Sequence, residues 1–119
     1  MTEDIFNNMW HVRVFLSTPM NGEKTGDINK RVAAVTEIVK GKFPSKAITV
    51  STGKVSDTSK VHPMKALGES IKSMGDFDLV VFDYNWSSAR GCKIEHDVCE
   101  AYGKPFAVIV REGLVFHER

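Results

Sequence analysis

Four short apolar runs, 12–16 (VRVFL), 47–50 (AITV), 79–82 (LVVF) and 106–110 (FAVIV), constrain this chain more than any other feature. Each has strand length, and each is bounded by turn-forming or charged residues. Between them lie three segments whose apolar residues recur at helical spacing. Ile28, Val32, Val35 and Val39 mark the first, with Asp27 as a cap and Gly41 and Pro44 as its end. Met64, Leu67, Ile71 and Met74 mark the second, which starts at Pro63 and stops at Gly75. The third spans about 91–102 and ends at Gly103-Lys104-Pro105.

The resulting β-α-β-α-β-α-β alternation predicts a parallel sheet covered by helices on both faces. With right-handed crossovers, we expect a three-layer α/β/α, Rossmann-like sheet of four to five strands in the flavodoxin-like order 2-1-3-4. Strands 1 and 3 then flank the switch point, and the loops after Leu16 and Phe82 face one crevice. Residues 1–10 read as a loose N-terminal arm with Ile5, Phe6, Met9 and Trp10 as anchors or as a subunit contact. The tail, 111–119, adds a short edge strand or covers a neighbour.

A length of 119 residues suits one domain, 1–119. Net charge of +1 gives no broad basic surface for nucleic acid. No apolar run approaches the roughly 20 residues that span a bilayer, so no membrane partner is expected. The opening residues, MTEDIFNNMWH, are acidic and polar, unlike a signal peptide. Cys92 and Cys99 stand seven residues apart on one helix, which separates their α-carbons by about 10 Å and prevents a mutual disulfide. Reduced thiols in a cytoplasm follow.

Chemistry concentrates in the loops at the carboxyl ends of the strands. The first holds Ser17, Thr18, Pro19 and Asn21, and a middle one holds Lys54 and Lys60. The third, Tyr84 to Gly91, places Ser87, Ser88 and Arg90 just before a helix start, where hydroxyls, a guanidinium and free N–H groups suit an anion. An ordinary capped helix start fits the same residues. On the third helix, Ile94, Val98 and Ala101 form one stripe at about 100° per residue. Glu95 falls at its border, roughly 60–70° from the centre, leaning toward the crevice. Spacing alone also fits a solvated glutamate there. Cys92, His96 and Cys99 share a face, but two helical turns between the thiols exclude a common zinc ion, so no metal is expected. Neither GxxxxGK[ST], GxGxxG nor GxSxG occurs, and no cofactor is implied.

The order FLSTP–Asn-Gly, then LVVFD, then Gly91-xxx-Glu95 and Ala101-x-Gly103-Lys104-Pro105 resembles the nucleoside 2-deoxyribosyltransferase superfamily, which includes the 2'-deoxynucleoside 5'-phosphate N-hydrolases. The resemblance covers roughly 12–110. It implies an enzyme that cleaves or exchanges the N-glycosidic bond of a 2'-deoxynucleoside or its 5'-monophosphate, with Glu95 as nucleophile. It further implies that Ser17, Thr18, Pro19 and Asn21 line the crevice and that Ser87, Ser88, Arg90 and Gly91 hold sugar or phosphate. A homodimer closing an open crevice is expected. The chain departs from the pattern at the first-strand tyrosine, here Phe15, and at a second-helix aspartate, where Leu67 or Ser70 falls. A nucleotide-binding module without catalysis is the alternative.

Overall fold

The computed structural model describes residues 2–20, 25–53 and 62–117. In chain order the regular elements are β1 (His11–Ser17), α1 (Thr25–Lys42), β2 (Ala47–Ser51), α2 (Pro63–Met74), β3 (Leu79–Phe82), α3 (Arg90–Tyr102), β4 (Phe106–Val110) and β5 (Gly113–Phe116). The strands form one sheet in the order β2-β1-β3-β4-β5. The β1–β2, β1–β3 and β3–β4 pairs are parallel, and β5 returns antiparallel on β4. The fold is therefore the expected α/β/α flavodoxin-like one, with the tail supplying the fifth strand.

Strand alternation sorts the core into two layers. Val12, Val14 and Leu16 of β1 and Leu79 and Val81 of β3 face α1 and pack on Val35 and Val39. Phe15, Val80 and Phe82 face the other side and pack with Met74 of α2 and Cys99 of α3. All four β3 residues are buried, as a central parallel strand requires. Each contributes about 1.5–3 kcal/mol of apolar transfer.

The helix ends follow their local chemistry. His62 caps α2, its Nδ1 accepting from the Met64 amide at 3.1 Å, and Pro63 follows in the first turn. α3 ends at Gly103, whose φ of 68° is a left-handed C-cap. The first ten residues are less loose than expected. A 3-10 turn over Thr2–Phe6 leads Phe6 into the core, fully buried against Phe43 and Phe116. Lys46 donates to the Met9 carbonyl, tying this stretch to the start of β2.

The phase of α3 differs from the predicted stripe. Cys92, Glu95 and Cys99 are its buried residues, whereas Ile94 is 36% exposed and Ala101 lies in solvent. The aromatic cluster of Phe82, Trp86 and Phe106 sets this phase. His96 stacks on Trp86, rings 4.3 Å apart and inclined by 5°, and meets Phe106 edge-on. Rolling α3 to bury Ile94 would break that stack. Met64 of α2 likewise leaves its predicted stripe and is 75% exposed.

Candidate functional site at the carboxyl edge of the sheet

β1 ends at Ser17 and Thr18 follows it, and the alternation carried over from the strand sends their side chains to opposite faces. Ser17 points toward α3. Its hydroxyl donates to Glu95 Oε1 at 2.8 Å. Thr18 points toward α1 and donates to Asp83 Oδ2 at 3.0 Å. Two carboxylates thus sit at the same sheet edge, one on each side.

Glu95 is only 5% exposed, so it occupies the middle of the buried face of α3 and not its border. Burial pushes its carboxyl above the ordinary value, and the hydroxyls of Ser17 and Ser70 offset part of that rise. Phe15, where the resemblance expects a tyrosine, packs its ring on Phe77 at 5.5 Å. Gly53, at φ 80°, lets the chain pass this ring, since a Cβ there would lie 3.0 Å from it. The hydroxyl that reaches Glu95 comes from Ser17, two residues further along the same face of β1. Ser70, one of the two residues that fall where the resemblance expects a second-helix aspartate, supplies the other. Gly91 lies one turn before Glu95. A Cβ there would meet only Leu67 Cδ1, at 3.8 Å, which is ordinary contact.

Cys92 and Cys99 flank Glu95 on the buried face as free thiols. Burial raises both, with the Glu95 charge adding to the effect, and Cys99 is pushed up to about 12. Both are therefore protonated at neutral pH and serve as packing groups. Among the described residues no group of three or more His, Cys, Asp or Glu is arranged to hold a metal ion.

Asp83 is fully buried. Arg31 donates to it twice, from Nε at 2.9 Å and from Nη2 at 2.6 Å, and the Tyr84 amide donates at 2.9 Å. Burial opposes ionisation, but the Arg31 bonds, the Tyr84 and Thr18 bonds and the Arg31 charge outweigh it, and the carboxyl lies below its ordinary value. The guanidinium also lies over the Tyr84 ring, 5.1 Å from its centroid. Sequence reasoning missed this pair because its partners stand 52 residues apart. A local hint existed: an aspartate closing a buried strand requires a partner.

The loop residues divide between the two sides. Thr18 and Pro19 line a cleft of about 220 Å³ together with Asp27, Ile28, Lys30, Arg31, Tyr84 and Asn85, on the α1 side and not beside Glu95. Ser87 and Ser88 are exposed on a 3-10 turn, Trp86–Ser88, and the Ser88 hydroxyl donates to the Asn85 carbonyl at 2.8 Å. Arg90 is exposed in the first turn of α3, whose cap, Ala89, makes no side-chain bond. Asn21, Lys54 and Lys60 lie outside the described residues.

Among the described residues no helix is long and apolar enough to cross a membrane. Compared with known proteins, the chain matches no family model, and no match was found to a curated protein or to a solved structure.

Proposed function

We propose that the protein is a deoxyribosyltransferase-like enzyme of the cytoplasm that acts on the N-glycosidic bond of a 2'-deoxynucleoside or its 5'-monophosphate. The observation that carries this reading is Glu95 itself: a buried carboxylate at the carboxyl edge of the sheet, held by Ser17 and Ser70. A side chain that serves only solubility has no reason to occupy that position. A Glu95 oxygen attacks the anomeric carbon as the C1'–N bond breaks, and the bonding pair leaves with the base, which takes up a proton. The glycosyl ester is then opened by water, giving hydrolysis, or by a second base, giving exchange. Ser17 supplies a hydroxyl where Phe15 has none, and Ser70 supplies a second from α2. Exposed Met64 on α2 and Tyr102 on α3 offer apolar surface for the expected homodimer.

Incubation with a panel of deoxynucleosides and monophosphates tests this reading. Free base released by the wild type and lost in Glu95→Gln supports it. Base release unaffected by that substitution rejects Glu95, and no release from any member rejects the activity. The second reading, a nucleotide-binding module without catalysis, draws on the placement of the cleft on the α1 side, away from Glu95. Protection from melting by a nucleotide without base release would favour it.

A further inference from the structure

We propose that Thr18 and Asp83 are positioning residues for Glu95: they fix the direction from which Ser17 presents its hydroxyl to that carboxylate. The functional meaning of this link rests on the reading of Glu95 given above. Its structural basis is a short chain of contacts. The Asp83 amide donates to the Ser17 carbonyl at 2.9 Å, and the Asp83 carboxylate accepts from the Thr18 hydroxyl at 3.0 Å. One residue thus holds the end of β1 twice, by the backbone of residue 17 and the side chain of residue 18.

Asp83 is itself unable to turn. Its two oxygens accept from Thr18 Oγ1, Arg31 Nε, Arg31 Nη2 and the Tyr84 amide. That fills the roughly four acceptor positions of a carboxylate, so none remains for a ligand. Ser17 and Thr18 are both buried, at 2% and 8% exposed. The Ser17 side chain has staggered wells to choose from, and the orientation of its backbone decides which one reaches Glu95. Loosening Thr18 therefore loosens the 2.8 Å bond on the opposite face of the sheet.

The test is a site-resolved titration of the Glu95 carboxyl by 13C NMR in wild type, Thr18→Val, Thr18→Ser, Ser17→Ala and Ser17→Ala/Thr18→Val. Valine keeps the shape of threonine and removes its donor. The Glu95 midpoint is expected to move upward in Thr18→Val, by at least half the upward move in Ser17→Ala. Serine at position 18 restores it, and valine adds nothing once Ser17 is gone. An unmoved midpoint in Thr18→Val, or a further move in the Ser17→Ala background, overturns the proposal. A merely structural Thr18 lowers the melting temperature in both backgrounds and leaves the midpoint in place. The titration needs no turnover, so it separates this link from the activity. Absence of base release defeats the nucleophile reading, and a fixed midpoint defeats the positioning reading.

Discussion

Asp83 and Glu95 are two buried carboxylates at one sheet edge, and they are treated in opposite ways. Asp83 receives a guanidinium, a hydroxyl and an amide, and its proton is held more weakly than usual. Glu95 receives hydroxyls, among them Ser17's, and its proton is held more tightly. The fold builds a complete shell for one acid on the α1 side and an incomplete one for the other on the α2–α3 side. A fully compensated carboxylate holds structure together. An under-compensated one costs stability, and such costs gather where a group has chemistry to perform.

The largest effect should come from breaking the complete shell. Arg31→Ala leaves the Asp83 charge buried without its cation, and we expect a loss of about 3 kcal/mol in urea unfolding. That is the low end for such pairs, because the Arg31 side chain is 35% exposed. A loss within about 0.5 kcal/mol would mean that Asp83 does not anchor the edge.

Glu95→Gln should act in the other direction, raising stability by about 1 kcal/mol at pH 8. The sign follows from linkage. Glu95 binds its proton more tightly when folded, so its contribution is complete below the ordinary value of 4.5 and is lost as pH rises through the higher folded value. The advantage of the glutamine variant should therefore grow with pH and vanish below about 4.5. Asp83 has the reverse dependence. Its contribution is complete above its ordinary value of 3.8 and is lost as pH falls through the lower folded value. Any base release should rise with pH as Glu95 ionises, since the anion is the nucleophile.

A smaller gain is expected at the β4–β5 turn. Arg111 and Glu112 both hold left-handed backbone, at φ 50° and 64°, where an Asn-Gly pair is the unstrained choice. Glu112→Gly should stabilise the protein by about 0.5 kcal/mol in thermal unfolding, the relief of left-handed strain less the chain entropy that glycine loses. The smallest effect tests the phase of α3. Ile94→Ser should change stability by no more than about 0.5 kcal/mol, far less than removal of a core residue.

The sheet and its order were legible because four apolar runs of strand length leave few alternatives. The antiparallel fifth strand was legible only as one of two options for the tail. The rotation of α3 was not, because its stripe of Cys92, Glu95 and Cys99 contains a charge that hydrophobic periodicity assigns to water. Phe82, Trp86 and Phe106 decide that rotation, and His96 completes their stack. The inward lean of Glu95 followed from its place at the border of the predicted stripe, while its Ser17 partner, 78 residues away, required the sheet to be assembled. Asp83 and Arg31 were missed for the same reason.

The difference between the two acids can be read most directly from a single sample with 13C-labelled Asp and Glu carboxyls, titrated by NMR. The Glu95 midpoint is expected to lie above 4.5 and the Asp83 midpoint below 3.8. Glu95 titrating at or below its ordinary value would contradict this, because that carboxylate would then be as well compensated as its neighbour.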